Sequence, residues 1–224
     1  MKTRRTMLNW REVQTVFLDM DGTLLDLHFD NHFWLEHVPK RYAEKYDLSI
    51  EAAKQTLLPR YREIEGTLNW YSVDHWSNAL DLDIALLKRE IDHLISIHPY
   101  VPEFLDALRA SGRRAIIVTN AHQKSLALKM EKTQLEGHFD QIVCAHDLGL
   151  PKEDRQFWDV LQKIEPFNAE RTLLVDDSHA VLESARDYGI AHLLAVHKPD
   201  TQSEAKAPGE FRALTSFGEL LPID

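Results

Sequence analysis

Five short apolar runs, rich in β-branched residues, constrain this chain more than any other feature. They are TVFLD (15–19), RAIIVT (114–119), DQIVCA (140–145), TLLVDD (172–177) and AHLLAV (191–196). A strand with one wet face alternates apolar and polar residues. These runs are nearly continuous in hydrophobicity, so each predicts a strand covered on both faces, as in a parallel sheet. Helical patterns separate the later runs. PEFLDALRASG closes at Gly112, HQKSLALKMEKTQ precedes the third run, and DRQFWDVLQKI precedes the fourth. SHAVLESARDYG opens at a capping Ser178 and stops at Gly189. Strand alternating with helix implies an α/β doubly wound, Rossmann-like parallel sheet with right-handed crossovers.

The stretch from Leu27 to His98 breaks that rhythm. It holds no convincing strand, and a crossover needs only about a dozen residues. Its segments read as helices: NHFWLEHVPKRYAEKY, then SIEAAKQTLLPRYREIEG interrupted by Pro59, then SVDHWSNAL and DIALLKREIDHLI, with Ser49, Ser72 and Asp83 as N-caps. The expected organisation is a catalytic core of residues 1–26 and 99–224, with a helical cap, 27–98, inserted after the first strand. A polar stretch, HKPDTQSEAKAPGE (197–210), is the one candidate for a flexible linker.

At 224 residues with 44% hydrophobic content, the chain has enough apolar material for a full core. A net charge of -10 disfavours a nucleic-acid partner, which needs a basic face. The basic opening MKTRRTMLNW continues into REVQT rather than an apolar stretch, so it does not read as a signal peptide. No run approaches the ~20 residues of a membrane span. The single cysteine, Cys144, sits in an apolar run and reads as an inert buried thiol. A cytoplasmic protein with no membrane partner is expected.

Ligands of open α/β sheets bind at the carboxyl ends of the strands, so the polar residues there carry the functional information. The first run ends in Asp19-Met-Asp21-Gly22-Thr23, the second in Thr119-Asn120, and the fourth in Asp176-Asp177-Ser178, while Lys152 follows the third. Four carboxylates converging on one edge repel one another unless a cation joins them, and an all-oxygen donor set suits Mg²⁺. An ionised aspartate is a nucleophile at neutral pH without a base, and it can form an aspartyl-phosphate. A carboxyl two residues on can protonate the leaving alkoxide and then deprotonate water, with crowding by negative charge raising its pKa. Gly22 permits the tight turn between them, where backbone N–H groups are available to hold phosphate oxygens.

With these motifs in this order, the chain resembles the haloacid dehalogenase superfamily, phosphatase branch. DMDGT stands as the first motif, VTN as the second, the Lys152 region as the third and VDDS as the fourth, and the helical insertion sits where the family carries a cap. The resemblance implies Asp19 as nucleophile and Asp21 as general acid/base. It implies phosphate binding by Thr119, Asn120 and Lys152. Mg²⁺ ligands would be Asp19, the Asp21 carbonyl and Asp177, with Asp176 either a ligand or a partner of one. Dehalogenating members lack the second aspartate, so Asp21 points to phosphoryl chemistry. One departure is visible: many members have Lys-Pro-x-Pro at the third motif, whereas this chain has Pro151-Lys152-Glu153-Asp154, which leaves Lys124 and Lys129 as substitutes for the lysine.

DMDGTLLDLHFDNHFW, TLNWY and GLPKEDRQFW also resemble the family's purine 5′-nucleotidases, which act on GMP and IMP. A small phosphorylated substrate is implied, with Trp70, Tyr71 and His75 of the insertion as candidate contacts to its base. Alternatives are a sugar-phosphate or phosphoglycolate phosphatase, a phosphomutase using the same aspartate, or a non-catalytic phosphate-binding protein. The last has no use for Asp21. Two lesser readings have simple structural explanations: Asn120 with Gln123 also reads as a helix capping box, a role that can stand beside phosphate binding, and His28, His32 and Glu36 read as helix neighbours rather than a zinc site.

Overall fold

A computed structural model describes residues 7–205, 207 and 209–224, so the basic opening segment Met1–Thr6 lies outside the described residues. β1 (Thr15–Leu18), β2 (Arg114–Thr119), β3 (Gln141–Cys144), β4 (Thr172–Asp176), β5 (His192–Val196) and β6 (Arg212–Leu214) form one sheet of order β3-β2-β1-β4-β5-β6. Every pairing is parallel. The five expected strands are present, each trimmed by at most two residues. β6 was not expected from the sequence: three residues ending in a buried leucine leave too short a signal.

Successive residues of each strand point to opposite faces, and the buried residues divide accordingly. Val16, Leu18, Ile117, Leu173 and Val175 pack with α7 (Val101–Ala110) and α8 (Gln123–Thr133). Phe17, Ile116, Val118 and Leu174 pack with α10 (Arg155–Ile164) and α11 (His179–Tyr188). On that second face, Phe17 lies between the rings of Trp158 and Phe167, at centroid distances of 6.4 and 4.8 Å. The chain is thus a three-layer α/β fold, as the continuous apolar strands require.

Every regular element between β1 and β2 among the described residues is a helix. α1 (His28–His32) runs through a π-helical turn, Phe33–His37, into α2 (Val38–Tyr46). Pro39 has no N–H to offer Leu35 across that widened turn. α3 (Ile50–Glu63), α4 (Leu68–Tyr71), α5 (Val73–Leu80) and α6 (Ile84–Glu90) follow. Ser49, Ser72 and Asp83 cap α3, α5 and α6 through their side chains. Phe29, Phe33, Leu57, Trp76 and Leu87 belong to the same buried cluster as the α7/α8 face of the sheet. The inserted helices therefore share one continuous apolar interior with that layer.

Two expectations need correction. Pro59 does not interrupt α3, which passes through it. Pro59 lacks the N–H that would reach the Gln55 carbonyl, and both residues are on the exposed face, where that carbonyl is open to solvent. The polar stretch after β5 is also no loose linker where it is described. Asp26 accepts from the Thr201 N–H (3.1 Å) and hydroxyl, Asn31 donates to Asp200 (2.7 Å), and the Leu27 N–H donates to the Pro199 carbonyl (2.9 Å). These bonds fix the point where the inserted helices leave β1.

An exposed proline within a helix still carries a ring and lacks a donor. Pro59→Ala is expected to stabilise the protein by about 1 kcal/mol, within the ~3 kcal/mol scale of an interior helix proline. A lower melting temperature for the variant would contradict this reading of α3.

Candidate active site

The sheet order reverses direction between β1 and β4, and such a switch point opens a crevice beyond the strand ends. Leu18 is in register with Val175, and the Asp19 N–H donates to the Val175 carbonyl at 3.0 Å. Asp19 therefore leaves β1 directly beside Asp176 at the end of β4. One oxygen each from Asp19, Asp176 and Asp177 lies within 4.8 Å of the others. β2, on the other side of β1, delivers Thr119 and Asn120 to the same edge.

Lys152 stands among these acids. It is 2% exposed, and its Nζ lies 2.5 Å from Asp19 Oδ1 and 2.7 Å from Asp176 Oδ2. Burial pushes the Asp19 carboxyl up to about 6, against the pull of Lys152 and with a further push from Asp176. Burial also lifts Asp176 to about 6, again opposed by Lys152. Burial alone would lower Lys152, but Asp176 and Asp19 outweigh it and hold the ammonium above its ordinary range. The other Asp176 oxygen accepts from the Ser178 N–H at 2.9 Å, so both of its carboxylate oxygens are already engaged.

With Asp19 and Asp176 both ionised, Lys152 offsets only one of their two charges, and Asp177 adds its carboxylate oxygens beside them. An all-oxygen donor set of that charge fits a hard divalent cation. Gly22 contributes a steric condition: its φ is +82°, and a Cβ there would stand 2.7 Å from Asp177 Cγ. Only glycine lets the β1 turn close against that carboxylate.

Asp21 goes elsewhere. Its carboxyl is not part of the three-aspartate group; Oδ1 accepts from Lys129 Nζ at 2.6 Å. Its pKa is raised to about 6, chiefly by burial, with Lys129 opposing and Asp30 and Asp19 adding to the rise. Crowding by like charge, the cause expected from the sequence, is thus the smaller contribution. The N–H groups of Gly22 and Thr23 are not turned to a ligand either, since they close the turn onto the Leu25 and Met20 carbonyls.

Thr119 Oγ1 accepts from the Ala121 N–H (3.0 Å), which leaves its hydroxyl proton free to face the crevice. Asn120 accepts the Lys152 N–H at 2.9 Å and donates to Glu153 Oε2 at 2.8 Å, and its side chain is also hydrogen-bonded to the Tyr71 hydroxyl. It does not cap α8; His122 does, through Nδ1. The departure at the third motif has a structural use. Glu153 also accepts from the Tyr71 hydroxyl at 2.7 Å, tying the inserted helices to Asn120, and Asp154 caps α10. Of the substitute lysines, Lys124 pairs with exposed Asp74 and Lys129 with Asp21, so neither replaces Lys152.

Asp19, Asp21, Thr119, Asn120, Lys152, Asp176 and Asp177 all line a cavity of about 370 Å³, within the range of small-molecule sites. Its opposite wall comes from the inserted helices: Trp34, Tyr61, Trp70, Tyr71 and Trp76, with Glu65 and Asp30. His75 is not part of that wall; its ring packs edge-on against Trp76 at 5.1 Å. Glu36 is held by Lys54 at 2.7 Å, and His28 and His32 join no metal-binding group among the described residues. The residues that sequence reasoning missed are Asp30, Lys88 and Glu153. An aspartate or lysine on a helix, or a glutamate in a turn, gives no local sign that it is paired with a distant partner.

The family model described as haloacid dehalogenase-like hydrolase matches residues 16–195. The GMP/IMP nucleotidase YrfG of Escherichia coli (strain K12) is 40% identical over 213 residues, covering 95% of this chain and 96% of that protein. A phosphorylated carbohydrates phosphatase of Thermotoga maritima is 24% identical over 226 residues, covering 94% and 98%. Among solved structures, a HAD phosphatase from Thermococcus onnurineus superposes with a TM-score of 0.77 at 19% identity, covering 93% of this chain and 96% of that one. The chain belongs to the haloacid dehalogenase-like hydrolases, and its sheet and motif order are those the sequence led us to expect. No helix among the described residues is long and apolar enough to cross a membrane.

The carboxyls of Asp19 and Asp176, raised from 3.8 to about 6, hold protons in the folded state that the unfolded state has already released between those pH values. Stability of the metal-free protein therefore falls as pH rises through that window. Above it the ionised carboxylates present an uncompensated excess that a cation relieves. Mg²⁺ is expected to raise the melting temperature more at pH 7.5 than at pH 5, with EDTA reversing the gain and Gly22→Ala abolishing it. An equal gain at both pH values, or none, would contradict the assignment of this cluster.

Proposed function

We propose that the protein is a Mg²⁺-dependent 5′-nucleotidase that hydrolyses purine mononucleotides such as GMP and IMP through an aspartyl-phosphate on Asp19. The observation that carries this reading is the cavity itself, with Asp19 held by Lys152 on one wall and five tryptophan and tyrosine rings on the other. The 40% identity to a GMP/IMP nucleotidase over nearly the whole of both chains supports the same substrate class.

In the proposed reaction, Lys152, the Thr119 hydroxyl and the Asn120 amide, exchanging its bond to Tyr71 for one to the substrate, bind the phosphate oxygens and orient phosphorus towards Asp19. A carboxylate oxygen of Asp19 attacks phosphorus, and the bond from phosphorus to the nucleoside 5′-oxygen breaks. Asp21 gives its proton to that oxygen, and the nucleoside departs. Asp21, now a carboxylate, takes a proton from water as the water oxygen attacks phosphorus, releasing inorganic phosphate and restoring Asp19. Asp19, Asp177 and the Asp21 carbonyl, with Asp176 beside them, would hold Mg²⁺, which when bound would supply the positive charge that lets an anionic nucleophile meet an anionic phosphate. The helices of 27–98 act as the cap of this reading, closing the base against their aromatic wall and limiting water access.

The wall also carries a selector. Asp30 is committed to Lys88 and Lys129, whereas Glu65 makes no ion pair among the described residues. A carboxylate there accepts the N1–H of a 6-oxopurine. Adenine offers an acceptor at the same position.

Phosphate release from a panel of 5′-nucleotides and sugar phosphates tests the assignment. GMP and IMP should be hydrolysed in Mg²⁺ and not in EDTA, with Asp19→Asn inactive and Asp21→Asn slower by about 10²–10⁴-fold. Release from sugar phosphates alone would overturn the purine assignment, and transfer of phosphate to a second hydroxyl rather than water would make the protein a phosphomutase. Glu65→Gln should cut kcat/KM for GMP by about tenfold while leaving AMP unchanged, the scale of one hydrogen bond to a charged acceptor. An equal loss for both nucleotides would exclude Glu65 as the selector.

A further inference from the structure

Lys129 is the most deeply buried lysine of the described residues, at 1% exposed, and it is not part of the cavity wall. Its ammonium meets the cavity through two lining residues, Asp21 and Asp30. From α8 its Nζ reaches two carboxylates at once, 2.6 Å from Asp21 Oδ1 and 2.6 Å from Asp30 Oδ2. Asp30 belongs to α1, and its other oxygen lies 2.8 Å from Nζ of Lys88 on α6. Lys88 is itself 3% exposed and sits 4.9 and 4.5 Å from the ring centroids of Phe29 and Phe33.

The four side chains form an alternating row, Asp21–Lys129–Asp30–Lys88, whose charges sum to zero when Asp21 is ionised. A buried lysine without acidic partners is costly. The row is therefore stable only as a unit, with α1 and α6 seated against α8. Its effect at the Asp21 end is directional. With Oδ1 accepting from Lys129, Oδ2 is the oxygen left to exchange a proton in the cavity.

We propose that Lys129 is a positioning residue that, braced by Asp30 and Lys88 of the inserted helices, fixes which Asp21 oxygen faces the leaving group, so that proton delivery depends on those helices being seated. The proposal rests on the reading of Asp21 as the general acid/base. It assigns to Lys129 a role separate from phosphate binding, which belongs to Lys152.

Leaving-group chemistry tests it. Nitrophenolate departs from 4-nitrophenyl phosphate without needing a proton, whereas the alkoxide of a nucleoside 5′-phosphate needs one. Pre-steady-state release would be measured for 4-nitrophenyl phosphate and for GMP, or for the alkyl phosphate of the panel that is turned over fastest. Lys129→Met should slow the alkyl leaving group by about 10²-fold, the lower end of the general-acid range, and nitrophenolate release by less than about threefold. Lys129→Arg should restore most of the alkyl rate.

The ratio of the two rates is taken on one sample, so a partial loss of folded enzyme cancels. Asp30→Asn, which withdraws the brace while keeping Lys129, should shift the ratio in the same direction and serves if Lys129→Met does not fold. Equal losses for both substrates, or no loss, would overturn the proposal. Asp21→Asn run in parallel separates the two levels. If Asp21→Asn shows the selective loss and the Lys129 and Asp30 variants do not, the positioning role fails alone. If Asp21→Asn shows no selectivity, the acid/base reading fails with it.

Discussion

The contact on which the rest of the site depends is a single ammonium between two buried carboxylates. Lys152 Nζ stands within 2.7 Å of both Asp19 and Asp176, in a region where burial pushes each acid towards its neutral form. Remove the lysine and two adjacent carboxyls lose their local counter-charge, so at least one would retain a proton. An aspartate that is protonated is no nucleophile. The proposed chemistry at Asp19 therefore rests on Lys152 as much as on Asp19 itself.

The sheet makes that contact possible. β1 and β4 are neighbours in register, so their last residues emerge side by side, and the close approach of Gly22 to Asp177 keeps the β1 turn against the β4 loop. The second aspartate of the turn is then separated from the first by its partner rather than by distance along the chain. Asp19 pairs with Lys152 and Asp21 with Lys129. The Asp19 group keeps a net negative charge suited to a divalent cation, whereas the Asp21 row is neutral in itself. Two carboxyls two residues apart can thus serve as proposed nucleophile and proposed acid, because their surroundings differ in what they can bind.

Much of this was legible in the sequence, for identifiable reasons. Strands buried on both faces read as unbroken apolar runs, and in a parallel sheet their polar last residues must gather on one edge. That brought Asp19, Thr119, Lys152 and Asp176 together without coordinates. The capping serines and Asp83 were legible because a cap is a contact three residues long. What could not be read depends on long-range pairing. Lys129 and Lys88 look like ordinary solvated helix lysines, and their partners lie 108 and 58 residues away. Glu153 looked like a departure from a motif until Tyr71 and Asn120 were seen to share it. His75 is in an aromatic cluster, but its helix turns it onto Trp76 instead of the cavity.

The most direct test of the central claim is to trap the covalent intermediate. Enzyme in steady-state turnover with Mg²⁺ and substrate would be quenched in acid, and its acyl phosphate reduced with borohydride, which converts a phosphorylated aspartate to homoserine. Peptide mass spectrometry then reads the position. The mechanism proposed here predicts homoserine at position 19, dependent on substrate and metal, and at no other aspartate. Turnover with unmodified Asp19, or conversion at Asp21, Asp176 or Asp177 instead, would contradict it.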